Sequence, residues 1–233
     1  SDKNLIRKQF KKRMGREVEF KEPINFTDKL QWLKLNWYDP LATSCADKYE
    51  VRRLVSNKIG KIYLNKVYKV YETVDDIDIG KLPKSFVLKG THGSGFNIIC
   101  KDKNEMNWNL EKKRMRRWLK KNYYWQTREW VYKDIKPRII CEQYLSEDNE
   151  HGSLTDYKFY CFNGKPTYCQ VIRGRGSNET IDFYDVKWNN MGFSGLRPLP
   201  NSNLDSKKPD KYEEMIDLAK ILSENFPFVR VDF

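Results

Sequence analysis

Apolar positions along the chain follow two periods, one helical and one alternating, and they divide it into short elements. Asn4 to Met14 is a basic, helix-compatible segment that stops at Gly15. Thr27 then caps a helix over Asp28 to Leu35, with Leu30, Trp32 and Leu33 as its expected buried side. A further helix is predicted from Cys45 to Ile59, with Tyr49, Val51, Leu54, Val55 and Ile59 apolar and Gly60 as the stop. Asp47, Lys48 and Arg52 sit in it, either on a solvated face or reaching a ligand.

From there strands predominate. Val67 to Val74 reads as a strand, and Asp75 to Gly80 as an acidic turn. Phe86 to Lys89 and Asn97 to Cys100 are two strands around a glycine-rich turn, and Asn104 to Lys121 is a helix. Arg138 to Leu145 is a buried strand running into a polar loop from Ser146 to Ser153. Tyr157 to Phe162 and Thr167 to Ile172 flank Asn163-Gly164, an antiparallel hairpin with four residues in its connection. Lys158 and Arg173 lie on its two strands and could point at one anionic site. Residues 174–209 are irregular, with a short strand near Ile181 to Trp188 and a polar linker from Pro198 to Pro209. The last helix, Asp210 to Ser223, is expected to bury Met215, Leu218, Ala219 and Leu222. A strand begins at Phe228 and the chain stops inside it, so the natural protein is expected to continue beyond Phe233.

Composition adjusts this picture only in places. At 233 residues the chain holds one large domain or two modest ones. Apolar content of 39% is low, but 14% aromatic compensates, so a packed core is expected. No run of about 18 apolar residues occurs, as a membrane-crossing helix would need. Five cysteines without a CxxC pair suit a reducing compartment, and a cytoplasmic location is expected. The net charge of +12 argues for an anionic partner and against a basic substrate. Part of that charge is the block Lys112 to Lys121, followed by Tyr123, Tyr124 and Trp125. It is either a solvated helix face or a surface for an anionic polymer or membrane.

The candidate chemistry centres on Lys89-Gly90-Thr91-His92-Gly93-Ser94-Gly95. Glycines let a backbone take φ > 0 and lie close to a ligand. Successive N–H groups in such a turn form an anion nest, and Lys89 adds a full charge beside it. A Walker A loop or a dinucleotide fingerprint would open a helix, whereas Asn97-Ile98-Ile99-Cys100 is strand-like. The loop is therefore the tip of a β-hairpin, either a lid over phosphates or an ordinary turn. Glu142 inside an apolar strand needs a partner, which could be an adenine amino group, a backbone group or an arginine. His151 falls in a polar loop and His92 shapes the glycine turn, so no Ser-His-Asp or Cys-His assignment is credible.

Taken in order, several motifs resemble the ATP-grasp superfamily, in its TupA-like (teichuronopeptide-biosynthesis-like) amidoligase branch. They are Asp47-Lys48-Tyr49, Leu88-Lys89 with His92 to Gly95, Pro137 to Glu142, Asp156 to Phe159 with Phe162 to Pro166, and Phe228 to Asp232. The resemblance implies two α+β subdomains clamping ATP, with Lys89 and Lys158 on its phosphates and the loop of His92, Gly93, Ser94 and Gly95 closing over them. It implies that Glu142 accepts from the adenine amine and that backbone groups of Gln143, Tyr144 and Leu145 line the hinge. Arg173 and Arg230 would hold the transferring phosphate or the acceptor carboxylate. Asp232 would ligate Mg2+, with a later carboxylate on the next strand completing the metal site.

The implied domains are a helical region over 1–80, a subdomain with the hairpin lid over 81–145, and a second, incomplete subdomain over 146–233. The implied activity is ATP-dependent amide formation through an acyl phosphate in surface or capsular polysaccharide synthesis. It would join an amino-acid donor to an acidic sugar or polysaccharide acceptor, with peripheral contact to membrane-associated glycan machinery. The rival readings are phosphoryl transfer to a hydroxyl on the same fold, and a basic module that binds anionic glycan or nucleic acid without turnover, nucleic acid being the less expected partner.

Overall fold

The structure is a computed structural model, and it describes the chain apart from residues 147–153, 177, 194, 196–200 and 203–206. His151 and most of the polar linker before the last helix thus lie outside the described residues. The chain forms two compact units, residues 1–54 with 64–144 and residues 55–63 with 145–233.

The first unit begins with helices α1 (Asp2–Met14), α2 (Phe26–Asn36) and α3 (Pro40–Ala46). Gly15, at φ 68°, ends α1 in the left-handed conformation and returns its N–H to Lys11. The expected apolar side of α2 is only half-buried; the side chain this helix buries is Asp28. Arg16 holds that carboxylate through two hydrogen bonds of 3.0 and 2.7 Å, which lets a charge replace a hydrophobic anchor.

The helix expected from Cys45 to Ile59 is broken. Helix α3 ends at Ala46 and α4 (Val51–Lys58) starts a turn later. Asp47 makes the break. Its backbone is extended, its N–H closes α3 on Thr43, and its carboxylate accepts from the Tyr49 N–H at 2.8 Å. Short carboxylates compete with the backbone in this way, and apolar periodicity does not register it.

A four-stranded antiparallel sheet follows, in the order β1 (Val67–Tyr71), β4 (Ile139–Gln143), β2 (Phe86–Gly90), β3 (Asn97–Cys100). Alternation along β2 sends Phe86 and Leu88 to one face, where they meet Ile98, Cys100, Ile139 and Cys141. Helix α5 (Trp108–Leu119) covers that face with Met115 and Trp118. Its basic residues therefore point the other way, and α6 (Tyr124–Thr127) follows it. The opposite face of the sheet carries Val87 and Lys89 on β2, facing Glu142 and Ile140 on β4.

The second unit is built on the antiparallel sheet β7 (Thr180–Asp185), β6 (Lys165–Arg173), β5 (Asp156–Phe162), β8 (Phe228–Asp232). Helix α7 (Tyr212–Ser223) packs on one face of it. That face presents Phe159, Cys161, Cys169, Val171, Tyr184 and Val231 against Tyr212 and Ala219. The hairpin between β5 and β6 is tighter than four residues: only Asn163 (φ 48°) and Gly164 (φ 73°) connect the strands. Lys165 and Pro166 belong to β6, and the register shift next to Cys161 accommodates the proline.

None of the five cysteines is joined in a disulfide. No helix among the described residues is long and apolar enough to cross a membrane.

Candidate nucleotide site

The glycine turn joins β2 to β3, and its glycines have different jobs. Only Gly95, at φ 77°, needs a left-handed backbone. A Cβ at Gly90 would meet Phe96 at 2.9 Å, and one at Gly93 would meet Phe96 at 2.8 Å and Tyr123 at 3.0 Å. These two glycines let the loop lie flat on an aromatic floor in which Phe96 and Trp118 stack with centroids 5.6 Å apart. The N–H groups of His92, Gly93, Ser94 and Gly95 donate to no acceptor among the described residues, and Ser94 and Gly95 are exposed. Adjacent free N–H groups of this kind suit an anion.

His92 is 2% exposed and fixes the loop from beneath. Its Nε2–H donates to the Trp118 carbonyl at 2.9 Å, which assigns the tautomer and leaves Nδ1 buried with no partner among the described residues. Burial lowers its pKa, and the nearby Lys48 charge adds to the effect, although the bond to Trp118 opposes it. His92 is therefore a neutral wedge in the loop.

Lys89 follows from the strand period. Because Val87 faces Glu142 and Lys89 faces Ile140, Lys89 and Glu142 are diagonal neighbours on one face, and Nζ lies 2.7 Å from Oε2. The other oxygen of Glu142 is 3.4 Å from Arg52, whose guanidinium also donates to the Asn65 carbonyl. A carboxylate this buried needs such partners. Of the alternatives open in the sequence, the arginine partner is present, joined by Lys89. At Gln143 both backbone groups are engaged: the N–H donates to Lys66 and the carbonyl accepts from Asn65, each at 2.9 Å. Tyr144 closes the first unit and Leu145, 45% exposed, opens the second stretch of the other.

Sequence reading placed Asp47, Lys48 and Arg52 on a solvated face or near a ligand. The structure instead buries Asp47 to 3% exposure, ties it to Arg138 just before β4, and ties Lys48 to the glycine loop and Arg52 to Glu142 on β4. Arg138 donates to Asp47 at 3.0 Å and to Glu50 at 2.8 Å, and its guanidinium lies over the Tyr49 ring. The ammonium of Lys48 donates to the carbonyls of Gly90 (3.1 Å) and Gly93. Spacing within one helix could not reveal this, because the partners lie some 40 to 90 residues away.

In the second unit, Lys158, Arg230 and Asp232 share the face of the sheet opposite α7. The register pairs Lys158 with Asp232 and Tyr160 with Arg230. Lys158 is 8% exposed and sits between two carboxylates, Asp232 at 2.9 Å and Asp156 at 3.3 Å. Arg230 clasps Asp232 through two hydrogen bonds of 2.6 and 2.8 Å, and Arg175 donates to Asp156. Burial would raise the Asp232 pKa, but Arg230 and then Lys158 outweigh it and hold the carboxyl below its ordinary value.

Arg173 lies elsewhere. Register puts Ile172 and Gln170 on the Lys158 face, so the next residue turns to the α7 side, where Arg173 meets the fully buried Asp182 at 3.0 Å. Lys158 and Arg173 therefore do not converge within this hairpin. Asp182 also accepts from the Ser202 N–H at 3.0 Å and from its hydroxyl, which gives Arg173 an anchoring position. Asp232 offers hard oxygen donors of the kind Mg2+ prefers. Both oxygens are held by cations, however, and no three potential ligands cluster among the described residues.

Two α+β units, one with a glycine-loop hairpin beside a lysine-bearing strand, define an ATP-grasp protein. The chain belongs to the TupA-like ATP-grasp family, which it matches over residues 28–233. No curated protein matches it. Among solved structures it is similar to the ATP-grasp ligase PsnB complexed with minimal precursor, at TM-score 0.40 and 11% identity, covering 88% of this chain and 53% of that one. It is also similar to the same ligase with minimal precursor, Mg and ADP, at TM-score 0.36 and 11% identity, covering 88% and 52%. The chain thus spans about half the length of these solved chains.

Proposed function

We propose that the protein is an ATP-dependent carboxylate–amine ligase that amidates an acidic sugar, a uronic acid in a surface or capsular polysaccharide, with an amino acid. The observation that carries this reading is the loop His92 to Gly95, whose four N–H groups have no acceptor among the described residues and lie beside the Lys89 strand. Membership of the TupA-like ATP-grasp family supports it, and the charge of +12 suits an acidic acceptor.

In this reading the loop N–H groups and Lys89 bind phosphate oxygens, and Glu142 accepts from the adenine amine while Gln143, Tyr144 and Leu145 line the hinge. Lys158 and Arg230 hold the transferring phosphoryl group and the acceptor carboxylate. A carboxylate oxygen attacks the γ-phosphorus and ADP leaves, giving an acyl phosphate. The amine nitrogen then attacks the carbonyl carbon, phosphate departs with the C–O bond pair, and the amine proton passes to solvent. The protein supplies placed cations rather than a nucleophile. Asp232 would be the residue to hold Mg2+, after release from Arg230 and Lys158, and the ion would supply charge neutralisation at the phosphates. The reaction is placed in the cytoplasm, next to membrane-associated glycan machinery.

Incubating the full-length protein with ATP, Mg2+, pooled amino acids and uronic acids tests this. Formation of an amide with stoichiometric ADP and phosphate is expected. A phosphorylated hydroxyl would replace it with the kinase reading, and salt-dependent polymer binding without turnover would replace it with a binding module.

A further inference from the structure

Three carbonyls of the glycine loop face the turn that separates α3 from α4. The backbone N–H of Lys48 donates to the Thr91 carbonyl at 3.2 Å, and its ammonium donates to Gly90 and Gly93. The peptides of this loop are trans, as are all those among the described residues, and in a planar trans peptide the N–H points opposite to the C=O. Turning the Thr91 and Gly93 carbonyls toward Lys48 therefore turns the N–H groups of His92 and Ser94 away from it. The third peptide is fixed at both ends, since the Thr91 N–H donates to the Arg138 carbonyl at 2.9 Å while Arg138 also binds Asp47.

We propose that the Asp47–Lys48 turn is a positioning element that sets the peptide planes of the phosphate loop, so that the N–H groups of His92 and Ser94 face outward to receive phosphate oxygens. Lys48 does not touch the nucleotide in this account. It acts through the loop, which is preorganised before any ligand arrives. The nucleotide part rests on the ligase reading; the setting of the loop does not.

The groups facing Lys48 are Lys89 on β2, Asp47 in its own turn, Glu142 on β4 and His92 in the loop. Burial first, and the Lys89 charge second, bring its pKa down to about 8, against the pull of Asp47 and Glu142. The loop setting thus weakens as pH rises through about 8, when the ammonium loses its charge. Global stability moves oppositely. The folded amine releases its proton around pH 8 while the unfolded one keeps it to about 10.5, so between the two the Lys48 contribution to stability grows with pH.

The test is amide exchange at Gly90 and Thr91 in the nucleotide-free protein, with ATP affinity measured in parallel on wild type, Lys48→Met and Lys48→Arg. Lys48→Met is expected to speed exchange at these two amides about tenfold or more, and to weaken ATP binding to a similar degree, with little change in melting temperature. Lys48→Arg should recover part of both. Wild-type exchange, corrected for its intrinsic pH dependence, should rise between pH 7 and 9 without a fall in melting temperature. Equal exchange in wild type and Lys48→Met overturns the proposal. Should Lys48→Met not fold, a flat wild-type pH profile overturns it instead. Faster exchange in Lys48→Met, with no ATP binding even by wild type, supports the loop setting and removes the ligase reading.

Discussion

The two units carry charge clusters of inverse design. In the first, one buried carboxylate, Glu142, is shared by two cations, Lys89 and Arg52. In the second, one buried cation, Lys158, is shared by two carboxylates, Asp156 and Asp232, each tied outward to an arginine. Both lie on the sheet face opposite the main helix-covered core, so alternation that fills each core also delivers the cluster. The shared member is the more buried in each case, and the partners reach solvent. Removing the shared member therefore leaves two like charges facing each other, while removing an outer member costs mainly binding.

The largest effect is expected at the centre of the second cluster. Lys158→Met leaves Asp156 and Asp232 without their common cation, which should cost about 3 kcal/mol in denaturant unfolding and reduce ATP turnover at least about 100-fold. At the centre of the first, Glu142→Ala leaves Lys89 and Arg52 facing each other and should cost about 1–3 kcal/mol. The same variant should relax the preference for ATP over GTP; an unchanged preference in competition binding would remove the adenine assignment.

Smaller effects on stability are expected at the rim. The Lys89 side chain is 33% exposed, so Lys89→Met should shift unfolding by under about 1 kcal/mol while weakening ATP binding about tenfold. The smallest concerns Asp232. Its folded pKa is depressed, so its stabilising contribution is fully present above the unfolded value of 3.8 and disappears as pH falls through the lower folded one. Asp232→Asn should therefore make the acid limb of an unfolding titration shallower, and only slightly, because the carboxylate is 38% exposed. An equally steep acid limb in the variant would contradict the coupling to Arg230 and Lys158.

Much of the fold was legible because it follows periods. The strands around the glycine turn, the buried strand with Glu142, the hairpin at Asn163-Gly164 and the last helix each announce themselves by alternation, a turn pair or a 3.6 spacing. What escaped depended on side chains overriding those periods. Asp47 ended a helix that the apolar pattern continued, and Asp28 replaced the expected apolar side of α2. Within the candidate site, Lys89 and Glu142 were visible as residue types, but not as partners, since their pairing depends on inter-strand register. Lys48, Arg52, Arg138 and Arg175 act through contacts distant in sequence and carry no local mark of the role. Arg173 shows the converse: near Lys158 along the hairpin, it was turned to the other face by the parity of its position.

The most direct measurement is the response of the loop amides to ATP. Titrating the nucleotide into isotope-labelled protein while following the amide resonances of His92, Gly93, Ser94 and Gly95 should produce saturating shifts, larger for ATP than for adenosine. No shift at these amides with millimolar ATP, or identical shifts with adenosine, would contradict a phosphate-binding loop.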